Sequence, residues 1–213
     1  MRPRAWARVL PGAALLLLLA ACASIAPPAV PTPPAPTAPP VLSPWEQRVA
    51  LLTPRQHFAL RGRIAVERER EGGQAQLQWA QQGEHFDLRL MAPLGQGSFL
   101  LAGNALEVSL TAPDGKVHTA PDLDTLMTRH LQWALPVAGA RYWILGLPVP
   151  GRPTTQLTLD ETGRLTDLAQ DGWRISVLEY QNVGGVDLPR RLFLLGSTLR
   201  LRIVITAWTE APH

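Results

Sequence analysis

Few side chains in this 213-residue chain can start chemistry, and the only thiol is Cys22. It directly follows Leu19-Ala20-Ala21, at the end of an apolar run from Val9 to Leu19, with Arg2, Arg4 and Arg8 near the start. A positive stretch, a short apolar stretch and small residues before a cysteine form the pattern of a lipoprotein signal peptide. The chemistry expected is a thioether between the Cys22 sulfur and diacylglycerol, cleavage after Ala21, and acylation of the new N-terminal amine. A transmembrane helix is the poorer reading, because a bilayer needs ~20 apolar residues and Pro11-Gly12 interrupts this shorter run.

The remaining candidates are histidines. His118 lies near Asp114, Asp122 and Asp124, and His130 follows. A His–Asp pair can do acid–base work, and such a group can bind metal. No His-Glu-x-x-His, Gly-x-Ser-x-Gly or Walker-type phosphate loop occurs. Asp122 and Asp124 are better explained as residues at a helix start, and His130 as a hydrogen-bonded helix residue. No catalytic and no metal site is expected, and an envelope hydrolase is the weaker reading.

The charge balance excludes another class. The chain carries 20 basic and 17 acidic side chains. Residues 1–21 hold three of the arginines and no acid, so 17 of each remain after cleavage. A neutral mature chain has no global field for gathering nucleic acid. Arg190-Arg191 and Arg200/Arg202 alternate with leucines and read as the wet face of strands. No second cysteine exists, so no intramolecular disulfide forms. A Cys22 carrying three acyl chains holds the protein on a membrane permanently, since each buried CH₂ contributes ~0.8 kcal/mol.

The elements that must position anything functional begin later. Ala23 to Leu42 has eight prolines and no charge. It reads as an extended tether, reaching roughly 60 Å at ~3.1 Å per residue. The organisation expected is a signal peptide over 1–21, lipidated Cys22 and tether over 22–42, and one domain over 43–213. Ser43-Pro44-Trp45-Glu46 is a capping box with proline at the first helical position, and Thr53-Pro54 ends that helix. From Phe58 the period becomes two. Leu60, Ile64 and Val66 oppose Arg61, Arg63 and Glu67, and further strands carry Leu77 and Trp79, then Phe86 and Leu88, then Leu106, Val108 and Leu110. Helix returns from Asp122, with Leu123, Met127 and Leu131 at helical spacing. After Pro136 a second helix carries Trp143 and Ile144 and stops at Gly146. Five more strands follow from Gln156 to Trp208. The fold class expected is mainly β, one antiparallel sheet of ten or so strands that curls into a curved or partly open barrel, with helices against its apolar concave face.

The chain resembles the LolB family of outer-membrane lipoprotein receptors from about Trp45 to Trp208. The pieces that carry the likeness are the lipobox, Arg61-Gly62, Gln78-Trp79, Ala92-Pro93-Leu94-Gly95, Arg141 to Pro148, Trp173 and Trp208. The run Trp143-Ile144-Leu145-Gly146-Leu147-Pro148 is the most specific. The resemblance implies an unclosed antiparallel half-barrel of about 10–11 strands with a helical lid, and between them an apolar cavity that accepts lipoproteins from a LolA-like periplasmic carrier and inserts them into the outer membrane without nucleotide. It implies that Pro93, Leu94 and Gly95 form a membrane-insertion loop. It also makes acyl-chain cavity candidates of Ile64, Val66, Leu77, Trp79, Phe86, Leu88, Leu106 and Val108 from strands. Leu123, Met127, Leu131, Trp143 and Ile144 are the candidates from helices. Ala23, where an Asp would retain the protein in the inner membrane, implies the outer membrane, lipid-anchored and facing the periplasm. The partners implied are the carrier, the acyl chains of client lipoproteins and outer-membrane phospholipid, with the protein a monomer. No cofactor is implied beyond the N-acyl and S-diacylglycerol groups on Cys22. Periodicity alone suits a filled core equally well, which leaves a structural or adaptor lipoprotein as the alternative.

Overall fold

The computed structural model describes residues 42–68, 71–93, 97–104, 106–130 and 136–209, without the side chains of Glu71, Asp124, Met127, Thr128 and His130. The segments expected to be signal peptide and tether, with Cys22 between them, lie outside the described residues up to Val41.

Helix α1 (Pro44–Leu52) begins with the capping box the sequence predicts. The Glu46 amide donates to Ser43 Oγ at 3.2 Å, and the Ser43 amide donates to Glu46 Oε2 at 2.7 Å. Six strands follow: β1 (His57–Arg68), β2 (Glu71–Gln82), β3 (His85–Met91), β4 (Ser98–Gly103), β5 (Val108–Thr111) and β6 (Val117–Ala120). Then come α2 (Leu123–His130), α3 (Val137–Trp143) and five strands, β7 (Thr154–Leu159), β8 (Leu165–Gln170), β9 (Trp173–Val183), β10 (Val186–Leu195) and β11 (Arg200–Thr209). Asp122 caps α2 by accepting from the Thr125 amide at 2.7 Å. Gly146 stops the chain after α3 with φ +75°, where a Cβ would lie 3.0 Å from the Tyr180 hydroxyl.

All eleven strands form one antiparallel sheet in the order β6-β5-β4-β3-β2-β1-β11-β10-β9-β8-β7. Two meanders meet where β1 pairs with β11, and β6 and β7 are the free edges. The segment that joins those edges contains α2 and α3, which is why the helices lie over the sheet. One face of each long strand is buried: Phe58, Leu60 and Ile64 on β1, Leu77 and Trp79 on β2, Leu192 and Leu194 on β10, Leu201, Ile203 and Ile205 on β11. The mainly β fold with one unclosed antiparallel sheet of about 10–11 strands, expected from the resemblance, is therefore the fold observed.

β6 was not anticipated. It is a four-residue edge strand, Val-His-Thr-Ala, too short and too polar to show a period. β5 starts at Val108, not Leu106. The Asn104 side chain accepts from the amides of Leu106 at 2.8 Å and Glu107 at 3.1 Å, which curls those residues into a turn.

A polar cluster ties α1 to the late strands. Two guanidiniums lie near the Tyr180 ring, Arg48 at 5.2 Å and Arg164 at 4.9 Å from its centroid. Arg48 also donates to the Leu145 carbonyl just beyond α3, while Arg164 pairs with Asp160 at 2.8 Å and Asp187 at 2.9 Å. Burial opposes ionisation of Asp160, but hydrogen bonds from Arg164 and Thr162 outweigh it and hold its carboxyl well below the usual range. Asn182, and after it Arg164, lower Asp187. Both groups thus have lower pKa values folded than unfolded. Their contribution is complete above about pH 4, the unfolded value, and is lost as pH falls through the folded values. Urea unfolding measured from about pH 6 to about pH 3 should show stability falling below about pH 4, and Arg164→Met should flatten that fall. Parallel curves for the two proteins would rule out this ion-pair origin.

Candidate functional site

The site is built on α3 and the strands beneath it. Alternation along β1, β2 and β3 sends Ile64, Leu77, Trp79 and Leu88 to the inner face. The β1–β11 pairing brings Leu194, Leu201 and Ile203 beside them. Val137 and Ala140 of α3 close the top. These side chains surround an apolar space of ≈ 30 Å³. A single water needs about 10–15 Å³ on that scale, so this space between the described side chains has room for about two waters.

A second, more polar cleft of ≈ 220 Å³ lies on the other side of Val137, toward the β2–β3 turn. Phe86, Val108 and Leu123 line it together with Gln81, Glu84 and Arg141. Gln81 is 2% exposed yet fully engaged: its oxygen accepts from Trp79 Nε1 at 3.0 Å and its nitrogen donates to the Gly83 carbonyl at 2.7 Å.

Helix α3 is held differently on its two flanks. Toward β8, Trp143 is 1% exposed and donates from Nε1 to Gln170 Oε1 at 3.1 Å. Gln170 also accepts from the Val149 amide and donates to the carbonyls of Val149 and Arg152, which fixes the segment after α3. Gly139 leaves room for the Trp143 ring, since a Cβ there would sit 2.8 Å from it. Toward β2 and β3, the polar attachment is Arg141, which donates to Glu84 Oε1 at 2.9 Å and to the Gly83 carbonyl at 3.4 Å. Glu84 is 61% exposed, and an ion pair with one such partner is worth at most about 1 kcal/mol. The Arg141 Nε is buried without a hydrogen-bond partner among the described residues. The flank toward β2 and β3 is the weaker one.

The cavity candidates divide accordingly. Ile64, Leu77, Trp79 and Leu88 line the apolar space, and Phe86, Val108 and Leu123 line the adjoining cleft. Val66 is half-buried against the core. Trp143 and Ile144 are buried but are not among the residues lining the apolar space; Trp143 packs toward Gln170 and Trp173. Leu106 is a correction, because the Asn104 turn leaves it 85% exposed, outside both spaces. Leu131 and the Met127 side chain lie outside the described residues, as do Leu94 and Gly95 of the expected insertion loop; Pro93 is exposed beside them. Sequence reasoning passed over Val137, Ala140, Leu194, Leu201 and Ile203. The alternation Leu192, Leu194 and Leu201, Ile203, Ile205 was the available signal for the last three.

Among the described residues no group of three His, Cys, Asp or Glu side chains could hold a metal. Asp114 is engaged by Lys116 at 2.7 Å. No helix among them is long and apolar enough to cross a membrane.

Comparison with known proteins agrees with this architecture. A solved LolA superfamily protein from Nitrosomonas europaea superposes with a TM-score of 0.53 at 10% identity, covering 81% of this chain and 95% of that one. That likeness shows the fold. The outer-membrane lipoprotein LolB of Nitrosococcus oceani is 38% identical over 196 residues, 91% of this chain and 92% of the relative. The protein of the same name from Pseudomonas fluorescens is 35% identical over 164 residues, 77% of this chain and 80% of the relative. The family model described as outer membrane lipoprotein LolB matches residues 56–208, which run from just before β1 to the end of β11. With the sheet, the covering helices and this match in agreement, the chain belongs to the LolB family of outer-membrane lipoproteins.

Proposed function

We propose that this protein is an outer-membrane lipoprotein receptor. It takes client lipoproteins from a LolA-like periplasmic carrier, shelters their acyl chains between α3 and the sheet, and releases them into the bilayer without nucleotide. The observation that carries the reading is an apolar inner face spanning both halves of the sheet, covered by a helix that is tied down weakly on one flank. Exposing a tail to water costs ~0.8 kcal/mol per CH₂, so successive apolar sites are enough to move it. A space of ≈ 30 Å³ holds no acyl chain as it stands. In this reading α3 lifts from β2 and β3 to admit a chain, breaking the Arg141–Glu84 contact and pivoting on the Trp143–Gln170 end.

In this reading the protein is a monomer anchored through acylated Cys22, and residues 43–213 form the receptor domain facing the periplasm on the tether. Pro93, Leu94 and Gly95 are the loop that touches the membrane. The test is transfer of a labelled lipoprotein from the loaded carrier to this protein and on to vesicles. Wild-type protein is expected to accept and deliver it. Leu94→Glu is expected to accept the label but to retain it, because a charge at the loop tip opposes contact with hydrocarbon. No acceptance by wild-type protein would refute the receptor reading, and normal delivery by Leu94→Glu would remove Leu94 from the mechanism.

A further inference from the structure

The outer face of the four central strands carries a charge pattern that acyl-chain capture does not use. Strand alternation places Arg61 and Arg63 of β1, Arg89 of β3, and Arg200 and Arg202 of β11 on this face, all exposed. The acids at outer positions of β11, β1, β2 and β3 are Glu67 and Asp87, and Glu67 is engaged with Arg202 at 3.4 Å. A mature chain of zero formal charge thus has a local excess of arginine here. Arg61, Arg63 and Arg89 form no ion pair among the described residues. Arg61 pairs across to Gln78, and Gln78 to Arg89. The two arginines therefore stand two strands apart, about 10 Å, with an amide between them. Beside them the small Ala59 and Ala80 face one another, and the surface sinks into a groove of ≈ 450 Å³ walled by Arg61, Asp87 and Arg89. The sheet has a bulge between Arg61 and Gly62, a device that re-aims neighbouring side chains.

We propose that this arginine face docks on the anionic phospholipid headgroups of the membrane, with a lipid phosphate in the Arg61–Gln78–Arg89 groove. The proposal rests on the receptor reading and adds the surface that faces the bilayer. Guanidinium forks suit phosphate oxygens. The four strands put no Phe, Tyr or Trp side chain on this face, so it lacks the buried aromatic anchors that accompany arginine in protein interfaces. Arg89 and Met91 lie at successive outer positions of β3, and exposed Pro93 follows two residues beyond the strand.

The test uses the mature lipidated protein reconstituted in vesicles, with a donor dye on Gln74→Cys at the outer face and an acceptor lipid in the bilayer. On phosphatidylcholine vesicles containing about a third phosphatidylglycerol, energy transfer should be high and should fall as salt shortens the Debye length from about 30 Å to about 3 Å. Each arginine lost should weaken surface association roughly fivefold, so the triple change Arg61→Gln, Arg63→Gln and Arg89→Gln should abolish the signal. Energy transfer equal on neutral and anionic vesicles, or unchanged in the triple variant, would overturn the proposal. Salt-sensitive binding of an acidic carrier protein through these arginines, with no response to vesicles, would overturn it too. Uptake of an apolar fluorophore is measured in parallel and is expected to match wild type in the triple variant. Failure of the wild-type protein to take up the fluorophore counts against the receptor reading, and failure of the vesicle response alone counts against the arginine face.

Discussion

Trp143→Ala is expected to destabilise the protein by about 3–5 kcal/mol and to increase its uptake of an apolar fluorophore. The indole is 1% exposed, wedged between α3 and the late strands, and its ring lies 6.3 Å from that of Trp173. Truncation removes most of its buried surface and leaves a cavity that Gly139, next to the ring, cannot fill. Gln170 loses a donor at Oε1 but keeps the Val149 amide there, so no buried acceptor is stranded. The cost is thus a packing cost. It falls on the pinned flank of α3, so the helix should rest more loosely over the apolar space. Urea unfolding measures the first effect and fluorophore titration the second. A loss under about 1 kcal/mol would mean that the indole does not wedge the helix, well short of the usual Trp→Ala penalty. Unchanged uptake despite a large loss would separate the Trp143 wedge from access to the pocket.

Gly62→Ala should be the other severe change. Gly62 sits at the bulge in β1, where a Cβ would lie 2.3 Å from the Val204 carbonyl oxygen and 3.1 Å from Ile205 Cα. Both obstacles are backbone of β11, so no side chain can swing aside and the strand itself must move. β1–β11 is the one pairing that joins the first six strands to the last five, so the disturbance falls on the seam of the whole sheet. Overpacking of side chains typically costs 1–3 kcal/mol, and a backbone obstacle should bring this case to about 3 kcal/mol or more. For a domain of this size that is a fall of ~10 °C in melting temperature. Gly73→Ala is the matched control, since nothing lies within 4 Å of a Cβ there. Equal melting temperatures for the two variants would show that the seam tolerates the extra carbon.

Much of this architecture was legible because its causes are local. Ser43, Pro44 and Glu46 specify a helix start through atoms three residues apart. The period of two along β1, β2 and β3 sorts Ile64 and Leu77 from Arg63 and Gln76 without reference to any partner. Gly146 announces a stop because a left-handed residue is needed there. β6 escaped notice because four edge residues have too few neighbours for a pattern. Leu106 was misplaced because a two-residue Asx turn, not the apolar rhythm, decides where β5 begins. The residues of β10 and β11 that line the apolar space were visible as an alternating face. Their place in the site was not visible, since it depends on β11 lying beside β1 some 140 positions away in the chain.

Taken alone, the amino-acid order determined the Leu19-Ala20-Ala21-Cys22 pattern, the equal numbers of acids and bases outside residues 1–21, the inner and outer faces of each long strand, and the family likeness. These depend on residue type and near-neighbour spacing. Tertiary structure alone decided that the sheet is seamed at β1–β11, that α3 is pinned at Trp143 and lightly held at Arg141, that the apolar space beneath Val137 and Ala140 is ≈ 30 Å³, and that Arg61 and Arg89 flank one groove. Each of these is a relation between side chains from distant strands. Such relations arise only when the chain has closed its long loops and the burial of one face has chosen which strands meet.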